Sequence, residues 1–142
     1  MRNLVVMTSV GLLLAACGEP KIQERDETEG SAARIEMEAA TKVYAECISG
    51  QADTMELADE PAGSLAITAV KMCEGSREAL VQKVAVFNKI GYPNRTEEQV
   101  AAVAEASVKL LEDEARQAAV VTIIKRQNDM NGAGDAAPAT EG

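Results

Sequence analysis

Histidine is absent from the chain, and this removes a large part of the usual catalytic repertoire. Without an imidazole there is no Ser-His-Asp triad, no histidine general base and no histidine-containing zinc site. The sequence also has no Gly-rich phosphate loop, no G-x-S-x-G motif and no nucleophile beside a base. It therefore predicts no catalytic residue, no metal, no cofactor and no small-molecule substrate, and we expect a protein that is not an enzyme.

Aromatic side chains are nearly absent as well, with two tyrosines, one phenylalanine and no tryptophan. The hydrophobic core must then be built from alanine, valine, leucine, isoleucine and methionine. Enzymes that act on carbohydrates commonly stack sugar rings on aromatic side chains, so this shortage weighs against a hydrolase of peptidoglycan. A carboxylate-based hydrolase is kept as the weakest of three functional hypotheses.

Basic residues are few relative to acidic ones, since 14 lysines and arginines face 23 aspartates and glutamates, for a net charge of −9. Nucleic acids and anionic lipid headgroups are bound by lysines and arginines that replace counterions. The acidic balance therefore predicts that neither is a partner of the protein surface. It is compatible with a basic protein partner.

Three pairs of neighbouring carboxylates are candidates for acid–base chemistry, which needs two groups whose environments separate their pKa values. With 23 acidic residues such pairs also arise by chance, and an exposed charged surface is the simpler interpretation. The pairs are Glu74 with Glu78, Glu112 with Asp113, and Asp59 with Glu60. Arg77 lies among apolar positions, and we interpret it as half of an ion pair with Glu114.

The N-terminal segment carries the clearest signal in the sequence. Arg2 precedes the apolar run Leu4–Ala16, which is shorter than the roughly 20 residues that a membrane-spanning helix needs. A charged start, a short apolar run and small residues at its end are typical of an export signal. We therefore predict that residues 1–16 are a signal peptide.

The end of this segment, Leu14-Ala15-Ala16-Cys17, resembles the lipobox of bacterial lipoproteins. The resemblance implies cleavage before Cys17, a diacylglycerol thioether on its sulfur, and acylation of the new amine by a fatty acid such as palmitate. Two or more acyl chains hold a protein stably on a membrane, because each buried CH₂ contributes about 0.8 kcal/mol. In that family an Asp after the cysteine favours the inner membrane, so Gly18 implies the periplasmic face of the outer membrane. The alternatives are a plain secretory peptide or a buried N-terminal helix.

The rest of the chain divides into three parts by composition. Residues 17–30 are charged and poor in apolar side chains, which predicts a disordered tether acylated at Cys17. Residues 31–127 carry three runs of apolar residues at helical spacing. Residues 128–142 are small and polar, which predicts a disordered tail. We therefore expect an all-α fold, a small three-helix antiparallel array with one disulfide, flanked by disordered ends. The whole arrangement resembles small envelope lipoproteins.

The boundaries of the first two predicted helices rest on local signals. Ser31 is a candidate N-cap for the first helix, and Gly50 is expected to end it. The second helix is expected over Leu65–Ile90. Gly75 lies inside it and predicts a kink or break between Glu74 and Ser76.

The third helix is expected over Glu97–Gln127. Thr96 and Gln99 form the sequence pattern of a capping box before it. Its predicted apolar stripe comprises Val100, Val103, Ala104, Ser107, Leu110, Leu111, Ala115 and Ala118. The β-branched run Val120–Ile124 is compatible with a short strand, but no second strand is available to pair with it. We interpret this run as a helix end buried on most sides.

The chain has only three cysteines. If Cys17 carries lipid, Cys47 and Cys73 remain as an even pair in an exported, oxidising compartment, where disulfides persist. We therefore predict a disulfide that joins the first two helices. A redox or metal-binding thiol pair is the alternative, but redox sites are more often C-x-x-C and zinc needs two further ligands.

These observations favour a membrane-anchored envelope lipoprotein that works as a non-enzymatic protein-binding or accessory module. Its membrane contact is made by the lipid on Cys17, and its other partner is a protein. A second hypothesis is a structural lipoprotein that self-associates along its long third helix.

Overall fold

The computed structural model describes residues 27–57 and 59–134. Those residues form four α-helices and no strand: α1 Glu27–Thr54, α2 Ala62–Met72, α3 Glu74–Gly91 and α4 Glu97–Gly134. The all-α fold class is confirmed, and the run Val120–Ile124 is helical, as part of α4. The segments predicted as signal peptide, lipobox with Cys17, tether up to residue 26 and tail from residue 135 lie outside the described residues.

The second predicted helix is divided in two, so the expected number of three helices is wrong. Cys73 separates α2 from α3 with φ −102° and ψ 16°. Its N–H donates to the carbonyl oxygen of Val70 at 3.0 Å. This bond joins residues three positions apart, as in a 3₁₀ turn, whereas an α-helical bond joins residues four apart. Cys73 is bonded to α1, and Gly75 nearby lowers helix propensity. These two features account for a break just before the predicted range.

The chain reverses its direction between α1 and α3 and again between α3 and α4. Cys47 of α1 is joined to Cys73, whereas Glu36, earlier in α1, binds Lys83, later in α3, at 2.8 Å. These two pairs make α1 and α3 antiparallel. Tyr44 of α1 contacts Glu112 of α4, and Ala52, later in α1, contacts Arg126, later in α4. These two pairs make α1 and α4 parallel. Two helices, α2 and α3, therefore stand where the predicted three-helix array has its middle helix.

The buried core is almost entirely aliphatic, as the shortage of aromatic residues requires. Tyr44 is the buried aromatic residue of the described chain, at 2% exposure, and its ring lies among alanine, valine, leucine and isoleucine side chains. The core residues are Ala33, Tyr44, Ile48, Ala52, Leu65, Ala66, Ala69, Cys73, Leu80, Val84, Val100, Ala104, Val108, Ala119 and Ile123.

α1 is longer than predicted at both ends, since it begins at Glu27 and passes through Gly50 to Thr54. Gly50 has an ordinary negative φ, so it does not act as a left-handed C-cap. The end of α1 is instead stabilised by α4. The Arg126 guanidinium donates to the carbonyl oxygens of Ala52 at 2.7 Å and Met55 at 3.1 Å. Carbonyls at a helix C-terminus need such partners because no further turn supplies them.

α4 begins as predicted and ends later. The Thr96 N–H donates to Gln99 Oε1 at 3.0 Å, and the Gln99 N–H donates to Thr96 Oγ1 at 3.2 Å. This reciprocal pair confirms the capping box. The helix continues past Gln127 to Gly134, into the stretch expected to be disordered.

Candidate binding surfaces

The predicted cysteine pair is brought together at the centre of the bundle. The two sulfurs lie 2.03 Å apart and the Cα atoms 6.0 Å apart, which joins the last third of α1 to the break between α2 and α3. Cys73 is 1% exposed. Because a thiolate must reach a disulfide sulfur to exchange with it, this burial favours a structural bridge over a redox site.

None of the three candidate carboxylate pairs is buried as a pair. Asp59, Glu60, Glu74 and Glu78 are exposed. Arg77 does not bind Glu114, so that expected ion pair is wrong. Its Nε donates to Glu112 Oε2 at 2.9 Å and its Nη2 to Glu105 Oε2 at 2.7 Å. Glu105 and Glu112 are seven residues apart and share a helix face, whereas Glu114 lies about 200° around the helix from Glu112.

Glu112 is the centre of a polar cluster that links three helices, formed by Tyr44, Arg77, Glu105, Lys109 and Glu112. The Tyr44 hydroxyl of α1 donates to Glu112 Oε2 at 3.1 Å, and the Lys109 ammonium donates to Glu112 Oε1 at 3.0 Å. With Arg77 from α3, three side chains therefore bind one carboxylate of α4. The Glu112 side chain is only 14% exposed.

The protonation of this cluster follows from burial and hydrogen bonding. Burial alone would raise the pKa of Glu112, but hydrogen bonds from Lys109, Arg77 and Tyr44 outweigh it and lower the pKa below its ordinary value. Burial, followed by the charge of Glu112, raises the pKa of the Tyr44 hydroxyl far above its ordinary value. At neutral pH the cluster is therefore a neutral phenol that donates to an ionised carboxylate.

Such a cluster holds helices together and does not suit proton transfer. A carboxyl group that acts as a general acid needs a raised pKa, whereas that of Glu112 is lowered. Both of its oxygens already accept hydrogen bonds. Among the described residues no group of Asp, Glu and Cys is arranged to hold a metal ion.

A cleft of about 380 Å³ opens beside the polar cluster, between α2, the start of α3 and the middle of α4. Its walls combine apolar side chains of α2 with charged groups of α3 and α4. The lining residues are Ile67, Val70, Lys71, Glu74, Arg77, Lys109, Glu112 and Arg116. We call this cavity the charged cleft.

A second surface feature lies between the parallel helices α1 and α4, where two cavities of about 230 Å³ each adjoin. Both are lined by Ala45, Ala115 and Ala118, so they form one continuous depression, which we call the alanine groove. Its lining residues are Thr41, Tyr44, Ala45, Ser49, Leu111, Glu114, Ala115, Ala118, Ala119 and Thr122.

Large apolar residues lie exposed on the α4 side of this groove, where the sequence predicted burial. Leu110 is 73% exposed and Val121 is 68% exposed. Counting four, eight and eleven residues from Leu110 reaches Glu114, Ala118 and Val121, which therefore share one helix face. Glu114 and Ala118 line the groove, so Leu110 and Val121 flank the same wall.

Comparison of the chain with known proteins gives no match. No family model matches it, and no curated protein and no solved structure matches it either. The four described helices include none that is both long enough and apolar enough to cross a membrane.

Proposed function

We propose that this chain is an envelope lipoprotein, held on the periplasmic face of the outer membrane by lipid on Cys17, that binds a partner protein along the alanine groove. The anchor rests on the resemblance of Leu14-Ala15-Ala16-Cys17 to a lipobox. The binding role rests on one observation, which is the apolar groove between α1 and α4 with exposed Leu110 and Val121 beside it.

The groove suits an α-helix better than a loop or a strand. Helices pack with their axes about 8–10 Å apart, and small side chains on one of them allow the closest approach. Ala45 and Ser49 on α1 face Ala115 and Ala118 on α4, so both sides of the groove carry small side chains. An amphipathic helix that enters such a groove inserts apolar residues at positions i, i+3, i+4 and i+7.

Charge indicates which kind of helix would bind. The protein carries a net charge of −9, and Glu114 lies in the groove wall. A helix with lysines and arginines beside its apolar stripe would be attracted to this surface, whereas an acidic helix would be repelled. The proposed partner is therefore a basic amphipathic helix of another protein.

Self-association through α4 is a second candidate, and the exposed apolar residues of α4 favour it. Leu110, Val121, Ile124 and Met130 are all at least 45% exposed. Two copies that each carry a net charge of −9 repel one another, which makes this the weaker candidate.

The proposal is tested by comparing proteins that co-purify with three forms of the full-length lipoprotein from detergent-solubilised envelopes. Ala118→Arg puts a long cation into the groove, while Ala79→Arg puts one on an exposed position of α3. The proposal expects a partner that is enriched with the wild type and Ala79→Arg and is lost with Ala118→Arg. A partner set that is identical for all three forms would contradict the groove as the binding site.

A further inference from the structure

The charged cleft has a composition unlike that of the chain as a whole. Lys71, Arg77, Lys109 and Arg116 line it, against two carboxylates, whereas the protein carries a net charge of −9. Four of the chain's 14 basic residues therefore converge on one cavity. Glu105 and Asp113, which pair with these cations at the edge of the cavity, bring the cleft close to neutral overall, so an anion is repelled less here than by the average surface of the molecule.

Several donors in this cleft have no acceptor among the residues that the structure describes. The Lys71 ammonium makes no ion pair or hydrogen bond with any described residue, and the Arg116 guanidinium binds within the described chain only through its Nη2, to Asp113 at 3.2 Å. Arg77 binds Glu105 and Glu112 through Nη2 and Nε, which leaves Nη1 without a partner in the described chain. A guanidinium has five N–H groups in a fixed fork, so each arginine keeps donors for a further acceptor.

The opposite wall of the cleft is apolar. Ile67 is 45% exposed, and Val70, one turn further along α2, also lines the cavity. An inorganic ion would leave this wall in contact with water, whereas a ligand with a short alkyl portion would cover it. The volume of about 380 Å³ lies near the lower end of the range of small-molecule pockets, about 300–1,000 Å³.

We propose that the charged cleft binds a small amphiphilic anion, which has one carboxylate or phosphate head and a short apolar portion. Lys71 and Arg116 donate to the head, and the side chains of Ile67 and Val70 contact the apolar portion. Arg77 and Lys109 are held in place by Glu112, so the site needs little rearrangement to accept the ligand. This site is distinct from the alanine groove and does not depend on the proposed protein partner.

The test uses the full lipidated chain in nanodiscs of zwitterionic lipid, with isotope-labelled isoleucine and valine methyl groups. Hexyl phosphate is titrated while the methyl resonances of Ile67 and Val70 are followed by NMR. Saturable shifts of these two methyl groups are expected. Hexanol and inorganic phosphate, which each supply half of the ligand, are expected to bind at least about tenfold more weakly.

A pair of variants separates a specific site from general attraction. Lys71→Gln combined with Arg116→Gln is expected to weaken hexyl phosphate binding by at least about tenfold, and Lys125→Gln, an exposed lysine outside the cleft, is expected to leave it unchanged. Repeating the titration in nanodiscs with anionic lipid identifies where the natural head group comes from. Weaker binding of hexyl phosphate there would assign the site to a lipid headgroup, whereas unchanged binding would assign it to a free molecule. Equal binding of hexanol, equal binding of phosphate alone, or an unaffected double variant would overturn the proposal.

Discussion

Glu112 is the residue that most directly connects the helices of this bundle. It accepts hydrogen bonds from Tyr44 on α1, from Arg77 on α3 and from Lys109 on its own helix. Hydrogen bonds to charged groups each contribute about 1.5–3 kcal/mol when they are sheltered from water. In a core built largely from small aliphatic side chains, this carboxylate stabilises the relative placement of three helices.

Replacing Glu112 by Gln is therefore expected to destabilise the protein. The amide keeps the size of the side chain but removes the charge that faces Arg77 and Lys109. We expect the free energy of unfolding to fall by about 2 kcal/mol, with a melting temperature about 10 °C lower. Glu114→Gln is the matched control, since Glu114 is exposed on the same helix and is expected to change stability little.

The same variant also has an expected signature in pH. The pKa of Glu112 is lower in the folded protein than its ordinary value of 4.5. Its stabilising contribution is therefore present above about pH 4.5 and is lost as the pH falls through the lowered pKa. The free energy of unfolding, measured with denaturant at several pH values, is expected to fall less steeply with acid for Glu112→Gln than for the wild type. If the free energy of unfolding depends on pH equally in the variant and in the wild type, the role given to this carboxylate is contradicted.

The disulfide gives a second prediction. Cys47→Ala opens a loop with a sequence separation of 26, for which the chain-entropy model gives about 3.5 kcal/mol. We expect the variant to melt at a clearly lower temperature than the wild type under oxidising conditions. In the presence of a reducing agent the two proteins are expected to melt at similar temperatures. Equal melting temperatures under oxidising conditions would show that the bridge contributes nothing.

α1 illustrates how a distant contact overrides a local signal. Gly50 is expected from the sequence to end this helix, yet the helix continues to Thr54 and buries Ala52. Arg126, 74 residues further along the chain from Ala52, supplies the donors that the last carbonyls need. A glycine inside a helix costs about 0.5–1 kcal/mol relative to alanine, and the contact from α4 offsets that cost.

This arrangement predicts that Gly50→Ala stabilises the protein. Gly50 has no atom within 4 Å of the position where a Cβ would be, and its φ is not positive. The free energy of unfolding is expected to rise by about 0.5–1 kcal/mol, measured by denaturant titration. A loss of stability would mean that α1 ends at Gly50 in a left-handed conformation.

Much of the fold follows from signals that lie close together in the sequence. The all-α class, the capping box at Thr96 and the pairing of Cys47 with Cys73 rest on helical spacing, on two residues three positions apart and on cysteine count. The division of the second predicted helix is anticipated only by Gly75.

The candidate surfaces are less predictable, for a physical reason. Apolar spacing identifies one face of a helix but does not say how wide a strip the neighbouring helices cover. Ala118 and Leu110 were both predicted in the buried stripe of α4, yet both are exposed. The charged cleft likewise combines Lys71 with Arg116, which no local pattern connects.

The molecule as a whole presents two different surfaces beside α4. The alanine groove lies toward α1 and is largely apolar, whereas the charged cleft lies toward α2 and α3 and is rich in cations. Tyr44 lines the groove, Glu112 lines the cleft, and a hydrogen bond of 3.1 Å joins them. The two surfaces that we propose for a partner helix and for a small anion are therefore separate, and they lie on opposite sides of one hydrogen bond.

The proposed anchor is tested by intact mass and by cell fractionation. The wild type is expected in the membrane fraction, with a mass that corresponds to cleavage before Cys17 plus acyl chains. Cys17→Ser is expected to lose the added mass and the membrane association. Cys47→Ser serves as the control, because it removes a cysteine without touching the lipobox. If Cys17→Ser stays in the membrane fraction and has the same added mass as the wild type, the lipid anchor on Cys17 is contradicted.

The most direct test of the central claim is crosslinking from the alanine groove in whole cells. A photo-crosslinking residue at position 118 replaces Ala118, and the control carries it at the exposed position 79 of α3. Mass spectrometry then maps the crosslinked peptide of the partner. We expect an adduct from position 118 alone, to a basic amphipathic helix of another protein. Adducts only to a second copy of this chain, or the same adducts from both positions, would contradict the claim.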